Sequence, residues 1–413
     1  MQSEWHECTL GEFVRLQRGH DLTASEQQPG PVPVMGSAGP NGTHSKALAK
    51  GPGVLIGRSG ASIGRVHYSA VDYWPHNTCL YVTDFLGNQP RFVYYLLRTL
   101  ELAGYNSGSA QPSLNRNYIY GMRIRVPKRG EQERIVEVLQ AVDDRIDLLR
   151  QTNATLESIA QALFKSWFID FDPVRAKAEG REPKGMDAAT AAVFPADLEV
   201  SELGLIPKGW HIATLPEAVD INPSESLPKG VEARYLEMAN APTSGHRPIE
   251  RVPQRAFGSG CKFRNGDALL AKITPCLENG KSAFVDFLGD AEVGWGSTEF
   301  IVLRSKAILP QYGAYLLARH EPFRRYAVQA MTGTSGRQRV DMTRLQQFQM
   351  ALPPDSVIAR AIDPMLRAFQ SRIANNDEQA KTLASLRDAM LPRLISGKLR
   401  VPRAADQIEE VLA

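Results

Sequence analysis

Apolar residues recur every seven positions in two long stretches of the chain, with charged and polar residues between them. In the first stretch, residues 131–168, the seam is formed by Ile135, Val142, Leu149, Leu156 and Leu163. In the second, residues 357–394, it is formed by Ile362, Phe369, Leu383 and Met390. A seam with a period near 3.5 predicts a helix that packs lengthwise against another helix. Helices of roughly 35 residues would each be about 50 Å long, which suits a spacer.

Asn376 interrupts the second seam. A buried polar residue at a seam position can fix the register of two paired helices. A solvent-exposed asparagine would instead mark a local break in the pairing. The sequence leaves both interpretations open.

The chain also contains two related copies of one sequence pattern. WHxxTLxExV begins at Trp5 and again at Trp210, so six of its ten positions are identical in the two copies. PxFxxYLL begins at Pro90, and the related PxYxxYLL begins at Pro310. The offset between matching positions rises from 205 at the tryptophans to 227 in the seams, so the additional residues of the second copy precede its seam. A period this long indicates a duplicated domain, because solenoid and propeller units repeat at about 20–50 residues.

Each copy is predicted to form a mixed α and β domain followed by one long helix. Apolar runs bounded by Gly, Pro, Asn and Ser predict strands at residues 54–56, 80–83, 268–270 and 300–303, and helices are expected at residues 91–102 and 311–326. We therefore expect an α+β fold in which two long antiparallel coiled-coil helices separate two similar mixed α/β domains. An approximate twofold axis would relate the two copies.

The segment between the copies is rich in residues that interrupt regular structure. Residues 170–208 contain seven prolines and glycines, which predicts a linker with little regular structure that lets the second copy reverse direction. The predicted boundaries are 1–127 for the first domain, 128–169 for the first helix, 170–209 for the linker, 210–353 for the second domain, 354–400 for the second helix and 401–413 for a tail.

Composition narrows the function classes only modestly. The chain is 43% hydrophobic and 23% charged, with no run long enough for a membrane span and no signal sequence at its start, so we expect a cytoplasmic protein. The four cysteines show no C-x-x-C spacing, which argues against a zinc site and a disulfide framework. A net charge of +3 permits a polyanionic partner without requiring one.

No catalytic constellation is evident in the sequence. Residues 275–282, PCLENGKS, end like a phosphate-binding loop, but proline stands where the turn needs glycine. Asn222-Pro223-Ser224 starts like the Asn-Pro-Pro-Tyr signature of adenine methyltransferases and then departs from it, and no glycine-rich cofactor loop precedes it. We therefore expect no cofactor, no metal and no catalysis. A nuclease or methyltransferase whose motifs are not evident remains the enzymatic alternative.

Loops with glycine, small polar residues and bases recur at matching places in both copies. Glycine lets the backbone approach a phosphate, Arg and Lys neutralise the phosphate, and Arg, Asn and Gln can pair with base edges. Such loops are also common surface turns, but their recurrence favours contact with DNA. The candidate DNA-binding residues are Ser37, Asn41, His44, Arg58, Ser59, Arg65, Gln111, Asn115, Arg116, Lys272, Thr274, Asn279, Lys281, Ser297, Thr298 and Arg337.

Several longer strings of the sequence are specific, namely QALFKSWFIDFDPVRAK (161–177), LGLIPKGW (203–210), FRNGD (263–267), NGK (279–281), GSTEF (296–300) and LRDAMLPRLISGK (386–398). On these strings the chain resembles, over essentially its full length, the specificity subunit of type I restriction-modification systems.

This resemblance implies a non-catalytic subunit with two target recognition domains, each of which reads one half of a split, asymmetric site on double-stranded DNA. It also implies that the two spacer helices form a coiled coil on which two adenine methyltransferase subunits dock, and that restriction and translocase subunits complete the complex. Neighbouring readers on one face of the duplex would need half-sites about one DNA turn, roughly 34 Å, apart. A subunit of a modification-only system, and a protein-binding scaffold without DNA contact, remain as alternatives.

Overall fold

The computed structural model describes residues 5–106, 113–334 and 336–412. The chain divides into two compact units. Unit 1 comprises Met1–Ile146 and Thr382–Ala413, and unit 2 comprises Asp147–Lys381. Each unit therefore contains one copy of the repeat and a part of each apolar seam.

The globular part of unit 1 is built on small, mainly antiparallel β-sheets. Its strands are, in chain order, β1 (Trp5–Thr9), β2 (Arg15–Arg18), β3 (Val32–Gly36), β4 (Gly39–His44), β5 (Gly53–Gly57), β6 (Val66–Ser69), β7 (Trp74–Pro75), β8 (Cys79–Asp84) and β9 (Arg123–Pro127). They pair as a four-stranded sheet in the order β2-β8-β5-β6, a three-stranded sheet in the order β4-β3-β7 and the pair β1-β9. Every residue of β5 is buried, as expected for a central strand with the sequence GVLIG.

Three short helices accompany these strands, namely α1 (Leu10–Phe13), α2 (Pro90–Arg98) and α3 (Arg116–Ile119). Thr9 and Glu12 form a capping box that starts α1. Pro90 lies in the first turn of α2, where the missing N–H costs nothing, and the side chain of Gln89 accepts a hydrogen bond from the Phe92 amide. The first long helix, α4 (Arg129–Phe168), then begins directly after β9.

The segment after α4 is more regular than the sequence predicts. It contains α5 (Asp172–Ala178), α6 (Ala188–Ala192) and a hairpin of β10 (Leu198–Ser201) with β11 (Gly204–Pro207). The expectation of little regular structure was wrong because these prolines and glycines lie at the ends of elements. Pro173 is in the first turn of α5, and Gly204 has a φ of +93° at the hairpin turn. Val174, Phe194 and Ile206 are buried in the main core of unit 2.

The globular part of unit 2 repeats the sheet of unit 1. Its strands are β12 (His211–Thr214), β13 (Val219–Ile221), β14 (Glu232–Leu236), β15 (Gln254–Ala256), β16 (Cys261–Phe263), β17 (Asp267–Ala271), β18 (Ser282–Phe284), β19 (Gly294–Gly296), β20 (Phe300–Ser305), β21 (Met331–Thr332), β22 (Arg339–Val340) and β23 (Gln349–Leu352). The order β13-β20-β17-β18 corresponds to β2-β8-β5-β6, and the pair β12-β23 corresponds to β1-β9. A second four-stranded sheet has the order β15-β14-β19-β16.

The helices of this part are α7 (Leu215–Ala218), α8 (Gly313–Arg319), α9 (Glu321–Gln329) and α10 (Met342–Gln346). The four predicted strands are confirmed, since they lie in β5, β8, β17 and β20. The predicted helix at residues 311–326 is in fact two helices, α8 and α9. His320 between them is extended, and Pro322 in the first turn of α9 has no amide with which to continue α8.

The second long helix is α11 (Val357–Ile395), and α12 (Val401–Leu412) follows it. The segment predicted as a tail is therefore helical. In unit 1 the Trp5 Nε1 donates to the carbonyl of Ile395 at 2.9 Å, where α11 ends. None of the helices within the described ranges has both the length and the apolar sequence that a membrane span requires.

Within unit 2 the two long helices pack antiparallel. Ala160 and Phe164 of α4 lie in one buried cluster with Ile362 and Leu366 of α11, and nearer the other end of these segments Asn153 meets Asn376. Asn376 is only 3% exposed, and its Nδ2 donates to Asn153 Oδ1 at 2.9 Å. The interpretation of Asn376 as a solvent-exposed break is therefore wrong.

Candidate nucleic-acid interface

In each unit a basic residue stands directly after the equivalent strand of the sheet. Arg58 follows β5 and Lys272 follows β17. The amide of Arg58 donates to Thr78 O, and the amide of Lys272 donates to Glu299 O, both at 2.9 Å. The backbone of each basic residue is thus bonded to the residue that precedes the neighbouring strand. The two side chains therefore start from equivalent positions.

The carbonyls of these bases are also engaged in the same way. The Arg58 carbonyl accepts from the Leu114 amide at 2.8 Å, and the Lys272 carbonyl accepts from the Val340 amide at 2.9 Å. Each of these partners comes shortly before a capped short helix, α3 in unit 1 and α10 in unit 2. The duplication has therefore preserved a complete backbone frame around each base.

In unit 1 this frame opens on a basic cavity of about 290 Å³. Its polar lining consists of Arg18, Arg58, Ser113, Asn115, Arg116 and Asn117. One N–H of Arg58 donates to Asn77 O at 3.2 Å and one of Arg116 donates to Leu16 O at 3.1 Å, which leaves other guanidinium N–H groups of both residues for a ligand. Arg18 and Asn117 were missed in the sequence because neither stands in a glycine-rich loop.

Two of the predicted serines support the frame. The Oγ of Ser37 donates to the Ser59 carbonyl at 2.7 Å, which ties the two loops together. A Cβ added at Gly57 would lie 2.1 Å from the Ser62 carbonyl oxygen, so the close approach of these loops requires glycine at that position.

The remaining predicted residues of unit 1 do not form one group. Asn41 and Arg65 are exposed outside the cavity lining. His44 is only 6% exposed, accepts at Nδ1 from the Gln28 amide at 3.0 Å and packs edge-on against Trp74. This geometry favours a packing role for His44. Gln111 lies outside the described residues.

In unit 2 the frame borders a cavity of about 440 Å³. Lys272 and Thr298 line it together with Lys262, whose Nζ donates to the Glu225 carbonyl at 3.1 Å. Lys262 was not predicted; it lies within the short strand β16, directly after the segment Gly258-Ser259-Gly260-Cys261.

Beside Lys272, Arg339 and Glu299 form an ion pair of several contacts, the shortest being Nη2 to Oε1 at 2.7 Å. Hydrogen bonds from Arg339 hold the pKa of the Glu299 carboxyl below its ordinary value. Glu299 thus remains a negative group next to Lys272.

The other predicted residues of unit 2 divide into structural and exposed ones. Thr274 Oγ1 accepts from the Gln338 amide at 3.1 Å, the Ser297 Oγ accepts from the Glu299 amide at 3.2 Å, and the Lys281 Nζ donates to Met238 O at 2.7 Å. Asn279 and Arg337 are exposed.

The seam residues named for subunit docking lie inside the units. Ile135, Val142, Leu149, Ile362, Leu383 and Met390 are buried, and Leu156, Leu163 and Phe369 are partly buried. Their burial favours a role in packing the helices, and docking of a partner on these helices stays a prediction. The large apolar residues of α4 that are exposed are Leu148 and Ile159, at 53% and 41%.

Across the residues that the structure describes, no group of three or more His, Cys, Asp and Glu side chains is arranged to hold a metal ion.

Comparison with known proteins finds a family to which the chain is similar. Residues 2–158 match the family described as type I restriction modification DNA specificity domain. The HindI specificity subunit of Haemophilus influenzae is 23% identical over 375 residues, covering 75% of this chain and 77% of that protein. The MjaIX specificity subunit of Methanocaldococcus jannaschii is 26% identical over 328 residues, covering 75% of this chain and 69% of that protein.

A solved structure shares the fold. The crystal structure of a type I restriction-modification S subunit from M. genitalium covers 95% of this chain and 96% of its own, with a TM-score of 0.54 at 13% identity. Residues 2–158 therefore match a type I restriction modification DNA specificity domain, and the longer chain is similar to type I restriction enzyme specificity subunits.

Proposed function

We propose that the chain reads a bipartite, asymmetric site on double-stranded DNA, one half with the globular part of each unit. The observation that carries the proposal is the repeated backbone frame around Arg58 and Lys272. In both copies this frame places a basic residue directly after the equivalent sheet strand. Duplicated readers can diverge in their side chains while keeping a common backbone, and that suits recognition of two different half-sites.

The side chains around each base suit contact with DNA. Guanidinium and ammonium groups neutralise phosphates, and asparagine and arginine can pair with base edges. Unit 1 offers Arg18, Arg58 and Arg116 around one cavity, and unit 2 offers Lys262 and Lys272 around another. The charged Glu299 carboxylate can accept a hydrogen bond from a cytosine amino group, or it can repel a misplaced phosphate.

Substitution of the two bases tests the proposal in the complex assembled with the methyltransferase subunits. Sequencing of methylated adenines in cells first identifies the target. We expect Arg58→Ala and Lys272→Ala each to weaken binding of that target about tenfold or more, because one good contact contributes about 1–3 kcal/mol. The salt dependence should also become shallower by about 0.9 in log–log slope if the lost contact is to a phosphate.

Arg181→Ala is the matched control. Arg181 is exposed and pairs only locally with Glu179, so its loss should leave affinity unchanged. If Arg58→Ala and Lys272→Ala both left the affinity for the target DNA unchanged, neither residue would belong to the interface. A complex that binds no DNA even at low salt would favour a scaffold function instead.

We further propose that two adenine methyltransferase subunits dock on the long helices and that restriction and translocase subunits join them, in the cytoplasm. The chain itself would hold no cofactor and catalyse nothing, so methyl transfer by the purified chain alone would contradict this part. Leu148 and Ile159, eleven residues apart on α4, are exposed apolar residues about three helical turns apart.

Replacement of both residues by glutamate tests the docking. We expect Leu148→Glu with Ile159→Glu to prevent copurification with the methyltransferase subunit, because charged groups would enter an apolar contact. Leu203→Glu with Val200→Glu, on the exposed β10–β11 hairpin, is the matched control and should copurify normally. Equal recovery of partner with the α4 double variant would exclude this surface.

A further inference from the structure

In unit 1 a buried carboxylate of α4 accepts a hydrogen bond from a tyrosine hydroxyl. Asp143 is 8% exposed, and the Tyr95 hydroxyl of α2 donates to its Oδ2 at 2.6 Å. Tyr95 is fully buried, and burial followed by the bond to Asp143 raises the pKa of its phenol above the ordinary value. The phenol therefore stays protonated and can donate a hydrogen bond. A buried hydrogen bond to a charged acceptor is short and directional.

The same carboxylate also reaches the other long helix. Arg387 Nη1 of α11 donates to Asp143 Oδ1 at 2.6 Å, and Arg91 Nη2 of α2 lies 3.9 Å from Oδ2. Asp143 thus connects the globular part of unit 1, α4 and α11 at one point.

Unit 2 contains a second connection of this kind. Glu157 of α4 is 5% exposed and accepts from the Tyr315 hydroxyl of α8 at 2.6 Å. Gln161 Nε2 donates to the same oxygen at 2.9 Å, and Arg319 Nε lies 3.6 Å from it. Burial raises the pKa of the Tyr315 phenol well above its ordinary value, so this donor also stays protonated.

Other ionic contacts tie this globular part to α11. Arg247 Nε lies 3.3 Å from Asp377 Oδ2, and Arg247 Nη1 donates to the Ala374 carbonyl at 3.2 Å. Both long helices are therefore bound to the globular part by directional polar contacts in unit 2, as they are in unit 1.

The two tyrosines are repeat partners, but the two carboxylates are not. Tyr95 and Tyr315 occupy the same position of the YLL motif. The offset of 227 in the seams would match Asp143 with residue 370, which is glutamine, whereas the observed acceptor is Glu157. The same tyrosine position is thus bound by a carboxylate in both copies although duplication alone does not supply that carboxylate.

We propose that Asp143 and Glu157 are positioning residues that fix the orientation of each globular part on its helix segments and thereby select the length of the gap between the two DNA half-sites. Apolar contacts alone tolerate small tilts, whereas a short bond to a buried carboxylate defines one orientation. This inference rests on the proposed bipartite recognition. Both carboxylates belong to α4, Asp143 to its segment in unit 1 and Glu157 to its segment in unit 2.

The test uses the complex assembled with methyltransferase subunits and a series of DNA substrates in which both half-sites are fixed and the gap changes by one base pair at a time. We expect Tyr95→Phe and Tyr315→Phe to retain both half-site preferences and to lower the preference for the native gap over its neighbours about tenfold, the scale of one hydrogen bond to a charged group. A purely structural role would lower thermal stability and leave the gap preference unchanged.

Two control variants accompany the test. Tyr326→Phe removes a hydroxyl that donates to the Arg344 carbonyl inside the globular part, and the native gap preference should persist. Glu157→Gln keeps a hydrogen-bond acceptor for Tyr315 and should preserve the gap preference, whereas Glu157→Ala should lose it. This pair tests the inference even if a tyrosine variant fails to fold. Wild-type gap preference in both Glu157→Ala and Tyr315→Phe would overturn the inference. A wild-type complex that shows no gap preference at all would instead overturn the proposed bipartite recognition.

Discussion

At the scale of single residues, the polar pair within the helix seam has the clearest energetic consequence. Asn376 Nδ2 donates to Asn153 Oδ1, and Asn153 Nδ2 donates to the Ile373 carbonyl at 3.1 Å. Each asparagine therefore satisfies part of the other's hydrogen-bonding capacity in a buried place. Such a pair specifies one register at a cost in stability relative to two apolar residues.

Substitution of this pair should separate stability from register. We expect Asn376→Leu to lower the free energy of unfolding by about 1–3 kcal/mol, because Asn153 Oδ1 loses its donor at a partly buried site. Asn153→Leu combined with Asn376→Leu should be more stable than the single variant, since no unpaired amide remains. Urea denaturation monitored by circular dichroism measures both, and a double variant less stable than Asn376→Leu would contradict the account.

At the scale of elements, periodic patterns predicted the structure well and local breaks predicted it poorly. The seams and the buried strands β5 and β17 were identified because burial on one side or on both leaves a regular apolar pattern. The helix at residues 311–326 was mispredicted as continuous because Pro322 starts α9 and thereby ends α8. The linker was mispredicted because its prolines and glycines mark turns between short elements whose few apolar residues enter a distant core.

The candidate interface was predictable only in part for a related reason. Arg58 and Lys272 could be found by comparing the two copies, since each follows a matching strand. Arg18 lies 40 residues before Arg58 and reaches its cavity through the sheet β2-β8-β5-β6, whereas Lys262 lies on β16 of the second four-stranded sheet, so neither position follows from the loop pattern. Conversely, the glycine-rich context of His44 suggested an exposed loop, but a strand with a buried end places its ring against Trp74.

At the scale of the whole molecule, the proposed function makes the length of the paired helices a determinant of the target. An insertion of four residues after Asn153 tests this, because it adds about 6 Å to one helix and rotates the following residues by about 40° beyond a full turn. We expect the wild-type target to lose methylation, with sites of altered gap modified in its place or no site modified at all. Sequencing of methylated adenines in cells measures the outcome.

The matched control is an insertion of the same four residues after Lys184, an exposed position between α5 and α6. It lengthens the chain equally and leaves both seams intact, so the target should remain unchanged. If the insertion after Asn153 also left the half-sites and their gap as they are in the wild type, the helices could not set the spacing of the readers. Because the two variants carry identical added residues, a difference between them must come from where the chain is lengthened, and a loss of methylation in both would point to a general defect of assembly.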